Sequence, residues 1–181
     1  MKKISVIVFL ACICFFSNSG LATAETKTFL HLEGIEGESK NSDYPNWIVI
    51  LSWEWQMSQT GTMHVGGGGG SVKGMVRPVI VTKYIDKASP ELIIKLMNGQ
   101  HIPEAVLAFQ EQGENPYEVL RITMSSVSIA NISSGESGGQ VAESLALVFS
   151  KVCYAYTPQK ADGSPDATIE RCWNIEKNIE E

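Results

Sequence analysis

Apolar residues recur at every second position through most of this chain, and that period limits the fold more than any other feature. In WIVILSWEWQMS, Trp47, Val49, Leu51, Trp53, Trp55 and Met57 share one parity, against Ser52, Glu54, Gln56 and Ser58 on the other. The stretch predicts one long, half-buried strand. FLHLEGIEG before it sets Leu30 and Leu32 on one side, with Gly34 and Gly37 as punctuation. RPVIVTKYI (77–85) and AVLAFQEQ (105–112) are further β-rich runs, the second closed by a Gly-Glu-Asn-Pro turn. In YEVLRITMSSVSIANI the apolar phase slips from Leu120, Ile122 and Met124 to Val127 and Ile129 across Ser125 and Ser126. A slip of this kind marks a bulge or a bend where a sheet curves. SSGESGG (133–139) reads as a loop, ESLALVFSKVCYAY changes phase near its middle, and ATIERCWNI precedes a polar tail.

One segment departs from this period. DKASPELIIKLMNG (86–99) offers Ser89 as N-cap, Pro90 as first helical residue, Glu91 in the first turn and Gly99 as C-cap. Leu92, Ile93, Leu96 and Met97 fall on one face of that helix, which is expected to pack on the sheet. About seven strands, several with phase slips, and one short helix predict a mainly β fold: two sheets curled into a β-barrel with a flanking α-helix.

The first 24 residues read as a cleavable leader outside this fold. Lys2 and Lys3 precede thirteen apolar residues (ISVIVFLACICFF), and Ala22-Thr23-Ala24 has the small-x-small form that a signal peptidase reads. Thirteen residues fall short of the roughly 20 that span a bilayer. Lipidation at Cys12 is the weaker alternative, since the apolar run continues past it. Cleavage would place Glu25 at the mature N-terminus and leave residues 25–181 as one domain, exported to the periplasm or beyond. Without the leader's two lysines, twelve cations face twenty acids, a balance of −8. No basic run or arginine cluster is present, so neither nucleic acid nor an anionic membrane surface is an expected partner.

Cys12 and Cys14 leave with the leader, and Cys153 and Cys172 remain. Between them the turn signal Asp162-Gly163 centres a hairpin in which Val152 would face Trp173, Cys153 would face Cys172 and Tyr156 would face Ile169. A disulfide there would close a loop of about 20 residues and contribute about 3 kcal/mol in the chain-entropy picture. Oxidising surroundings favour it over two buried free thiols.

Chemical motifs are sparse. HVGGGGGSVKG (64–74) puts Val72 before Lys73 and Gly74 after it, so no frame fits a phosphate loop, and five glycines carry too much backbone entropy for a pre-organised nest. His31, His64 and His101 stand in no HExxH or HxH pattern, and no metal-ligand spacing or CxxC occurs. Ser125, Ser126 and Ser128 lie in no GxSxG elbow. Glu33, Glu36 and Glu38 are the nearest approach to a glycosidase pair, and scattered surface acids explain them equally well. No enzyme, metal site or cofactor is expected.

FLHLEGIEGES, WIVILSWEWQMSQ, the glycine-rich loop, TKYIDKASPELIIKLMNGQHIPEAVLAF, YEVLRITMSSVSI and the final hairpin stand in an order that resembles the hemolysin-coregulated (Hcp) proteins, the tube proteins of bacterial type VI secretion. The resemblance runs from Phe29 to about Ile175. It implies a β-barrel subunit of a homo-hexameric ring, rings stacked inside a sheath, a spike protein (VgrG) at the tip, and small effectors in the lumen. It implies no catalytic residue. It also implies that His64, Gly66, Gly67, Gly68, Gly69, Gly70 and Lys73 form a loop reaching neighbouring subunits or rings. The leader departs from the resemblance, because such tubes are built on the cytoplasmic side, and the Cys153–Cys172 pairing fits the export that a leader implies. A secreted relative serving as a binding or adhesive module is therefore the alternative expectation.

Overall fold

The computed structural model describes residues 25–59, 74–113 and 115–181. Its strands are β1 (Thr26–Leu32), β2 (Ile48–Ile50), β3 (Ser52–Ser58), β4 (Met75–Tyr84), β5 (Ile102–Glu111), β6 (Tyr117–Ser137), β7 (Gln140–Val148), β8 (Lys151–Tyr156), β9 (Ile169–Asn174) and β10 (Ile179–Glu180), with helix α1 (Ser89–Asn98) between β4 and β5. Every pairing is antiparallel. One sheet runs β10-β9-β8-β6-β5-β1-β2, and β3-β4-β7 joins it through β6. Hydrogen bonds do not close the ladder on itself, so the closed barrel expected from the sequence is not formed by strand pairing. Leu30, Leu32, Ile48, Ile50, Val79, Val81, Leu107, Ile122, Met124, Leu145 and Leu147 fill the space between the two layers.

The phase slips mark where the chain changes layer. Residues 120–125 of β6 pair with β8, residues 128–137 pair with β7, and Ser126 between them turns at φ 53°. A non-glycine residue adopts that left-handed conformation only at a local cost, and here it rotates the buried set from even to odd positions. The second slip splits ESLALVFSKVCYAY into β7 and β8 at Phe149 and Ser150. Ser150 N–H donates to the Ser125 carbonyl at 3.1 Å, so the two corners lie side by side.

A third corner is absent from the sequence reading. WIVILSWEWQMS is two strands, β2 on β1 and β3 on β4, separated by Leu51. Ile48 and Ile50 are buried while Val49 and Leu51 are exposed, so the parity taken for the core face is the outer face in β2. It becomes the inner face in β3, where Trp53 lies 4.8 Å from the Phe109 ring and Trp55 packs on the core. SSGES is strand rather than loop: only Gly138 and Gly139, at φ 61° and 80°, turn between the paired Ser137 and Gln140. The polar tail likewise turns back, through Asn178, to add β10 to β9.

The helix starts and ends near the expected positions but differs in detail. Ala88 is the N-cap, and the Ser89 hydroxyl makes no capping bond. Gly99 ends the helix at φ 65°, its N–H donating to the Leu96 carbonyl. Ala88, Leu92 and half-buried Leu96 enter the core, whereas Ile93 and Met97 face outward with Ile94.

Residues 36–47 cover the outer side of the first sheet. Tyr44 stacks on Phe29 at 4.7 Å, and buried Gln110 is satisfied by Asn41 and Asp43 at 2.9 and 2.6 Å. The Tyr44 hydroxyl donates to Glu118 at 2.8 Å; burial first, then this bond, holds the phenol well above its ordinary range. The segment begins in a backbone-to-backbone contact, with Gly37 N–H donating to the Asn46 carbonyl at 2.7 Å. A methyl group on Gly37 would lie 2.5 Å from the Ile48 backbone and would overlap the Trp47 carbonyl oxygen. Gly37→Ala is therefore expected to lower the unfolding free energy by about 1–3 kcal/mol, read as a shift in the denaturant midpoint. A midpoint equal to the wild type would show that the segment shifts freely.

Candidate functional site

Several of the polar groups considered for chemistry are drawn into structural contacts. Glu36 accepts from Lys87 Nζ at 2.9 Å and Glu38 from the Lys87 N–H at 3.0 Å, so both carboxylates hold the approach to α1 rather than face each other across a cleft. Lys87, through its hydrogen bond and its charge, holds the Glu36 carboxyl below its usual range. His31 is half-buried against Trp47, with ring centres 5.1 Å apart. His101 Nδ1 lies 2.6 Å from the Ser128 hydroxyl on an exposed surface. The spacing between these two residues gave no hint of that contact, which β5–β6 pairing creates by setting Ile102 against Val127.

A buried ion pair joins β4 and β7 to the helix. Lys83 Nζ donates to Glu143 at 2.7 Å, Asp86 at 2.8 Å, the Tyr84 carbonyl at 2.9 Å and the Ser89 hydroxyl at 3.0 Å. Ser89 in turn donates to Glu143 at 2.7 Å, which is where its hydroxyl goes instead of capping α1. Lys83 and Glu143 face each other across β4 and β7, and both side chains are fully buried. Four acceptors surround the three N–H groups of the ammonium, so every donor has a partner, as a charge without water requires.

Cys153 and Cys172 are joined by a disulfide across β8 and β9, with Cα atoms 4.0 Å apart. Val152 faces Trp173 and Tyr156 faces Ile169, the register expected for the hairpin. Of the glycine-rich loop, His64, Gly66, Gly67, Gly68, Gly69, Gly70 and Lys73 lie outside the described residues, and only Gly74 is seen.

Exposed apolar side chains occur along several strands, Val49, Leu51, Ile80, Val141 and Val148 among them, and two groups stand at opposite ends of β4. At its start, exposed Met57, Met75 and Trp173 line one hollow beside the origin of the glycine-rich loop. Tyr154, Tyr156 and Ile169 extend that exposed apolar surface along β8 and β9, on the face that leaves the core at Val152. At the other end, Ile85, Ile93, Ile94 and Met97 are uncovered, Met97 to 78%. Ten strand residues at about 3.3 Å each put roughly 30 Å between the two ends. Monomeric proteins rarely leave large apolar side chains clustered this way.

A mainly β chain that buries one ion pair and leaves groups of large apolar side chains exposed at both ends of β4 has the architecture of a protein that acts through its surfaces. Comparison with known proteins then identifies the family. Residues 29–156 match the family described as type VI secretion system effector, Hcp. The chain is 41% identical over 156 residues to the protein hcp1 of Pseudomonas aeruginosa, covering 84% of this chain and 96% of that one. Among solved structures it is similar to a type six secretion system protein, at a TM-score of 0.81 and 25% identity over 87% of this chain and all of the other. It is also similar to Hcp1 from Salmonella typhimurium, at a TM-score of 0.71 and 33% identity, covering 86% of this chain and 99% of that one. This chain belongs to the Hcp family of type VI secretion system proteins.

Proposed function

We propose that this protein is the structural subunit of a type VI secretion tube. Six copies close into a ring, rings stack, and the stack is secreted with small effectors in its lumen. The observation that carries this reading is the separation of the two apolar ends across β4. A two-fold dimer needs one self-complementary patch, whereas rings and stacks join two different patches of the same subunit head to tail. His64, Gly66 to Gly70 and Lys73 are assigned to the contact loop, because they lie in sequence between β3 and β4, whose Met57 and Met75 line the hollow with Trp173. The spike protein and the sheath are the further partners.

The subunit that assembles is residues 25–181, after a leader has directed it across the inner membrane. The disulfide favours a second reading on that account, an exported binding module that kept the fold but builds no tube. Light scattering on the purified protein without reductant, over a range of concentrations, separates the two. A mass near six times the monomer supports the ring, and micrographs then test stacking. A monomer at every concentration would overturn the tube reading in favour of the binding module.

A further inference from the structure

Glu170 lies two residues before Cys172 on β9, so its carboxylate points to the same side of the sheet as the disulfide. The sulfur atoms of Cys153 and Cys172 and a carboxylate oxygen of Glu170 all lie within 4.8 Å of one another. Both cysteines are half-buried and Glu170 is exposed, so the group opens to solvent on one side. Lys151 and Arg121, at register positions on the same face of β8 and β6, are each engaged by a carboxylate of their own, Glu181 at 2.6 Å and Glu118 at 2.7 Å. Neither cation is thus committed to Glu170.

We propose that, in their dithiol form, Cys153 and Cys172 with Glu170 hold one thiophilic divalent ion such as Zn²⁺, so that metal binding and disulfide formation exclude each other at this site. Two thiolates and a carboxylate are the donor types Zn²⁺ accepts, and a water completes a tetrahedron. Zinc–sulfur bonds of about 2.3 Å place two thiolates about 3.8 Å apart across a tetrahedral angle. Cross-strand partners reach that separation by turning a side chain, because their Cβ atoms already share one face. Binding the ion releases the two thiol protons to solvent. Oxidation runs the other way: a disulfide oxidant takes two electrons from the sulfurs and two protons from water and becomes a dithiol. The Cys153–Cys172 bond forms, both zinc–sulfur bonds break and the ion leaves. The site would therefore be open in a reducing compartment and closed by export into an oxidising one.

The test titrates Zn²⁺ against a chromophoric chelator, using purified protein reduced with a phosphine and, in parallel, protein left oxidised. One equivalent is expected to bind the reduced protein and none the oxidised protein at this site. Co²⁺ in place of Zn²⁺ should give thiolate-to-cobalt charge transfer in the reduced sample alone. Glu170→Gln, an exposed substitution that leaves the fold intact, should weaken Zn²⁺ binding by about tenfold or more. Equal uptake by the oxidised and reduced proteins, or no uptake by the reduced one, overturns the proposal. Unchanged affinity in Glu170→Gln overturns the three-ligand assignment.

Discussion

Lys83→Met is expected to lower the unfolding free energy by about 3–5 kcal/mol, the largest effect of a single substitution in this chain. The change removes the ammonium paired with Glu143, which is fully buried, and takes with it the bonds to Asp86 and the Ser89 hydroxyl. Glu143 is then left as a fully buried carboxylate without its cation. One of its oxygens, Oε2, already lacks a hydrogen-bond partner among the described residues, so little compensation is available. Methionine preserves most of the volume, so the loss reports the broken network rather than a cavity. The measurement is the shift in denaturant midpoint at unchanged slope. Lys83→Met combined with Glu143→Leu should recover most of the loss, because apolar replacement of a whole buried pair is often neutral or stabilising. A single-mutant loss under about 1 kcal/mol would mean that Glu143 is solvated in solution and that the pair does not pin α1.

The same residues show how far the sequence could be read. Lys83 shares parity with Val79 and Val81, and Glu143 with Leu145 and Leu147, so alternation alone sets both on the core face. That a lysine and a glutamate on two buried faces meet depends on β4 pairing with β7, a contact between segments 60 residues apart that no local pattern encodes. The β8–β9 hairpin was legible to the residue, because its turn signal fixes the register and its length offers few alternatives. Ser125 and Ser126 were legible as a bend for a related reason: polar residues interrupt the apolar phase there. The corner at Leu51 carries no such interruption, since WIVIL is apolar at every position, and both faces of β2 look buried. Ile93 and Met97 were assigned to the packed face of α1 because helical spacing says which residues share a stripe. It does not say how wide a stripe the core admits, and here the core takes Ala88, Leu92 and Leu96. Ile93 and Met97, two of the apolar side chains placed wrongly, belong to a surface now proposed to face other subunits. A surface meant for a partner copy follows the same burial rule as a core, so a single chain cannot distinguish them.

Reducing the Cys153–Cys172 bond is expected to lower stability by about 3 kcal/mol, the second large effect. The bridge closes the loop that contains the hairpin, with a sequence separation of 19, and most of its contribution comes from chain entropy withheld from the unfolded state. Its location sharpens the expectation. β9 pairs β8 on one side, while only Trp173 and Asn174 meet β10 on the other. Ile169, Arg171 and Glu170 are exposed, so little buried apolar area holds this edge against opening. Hydrogen exchange should accordingly accelerate first in β8, β9 and β10 after reduction, while β1, β5 and the first half of β6 keep their protection. A metal chelator belongs in the buffer, since an ion held by the reduced thiols and Glu170 would restore part of the lost constraint. Cys153→Ala with Cys172→Ala supplies the same comparison without reductant, and its midpoint should match that of the reduced wild type. A loss under about 1 kcal/mol in both samples would show that the hairpin register alone holds the edge, and would remove the stability argument for an oxidising destination. A loss near the expected size would give the proposed export a physical consequence: the protein would reach its full stability only where the bond can form.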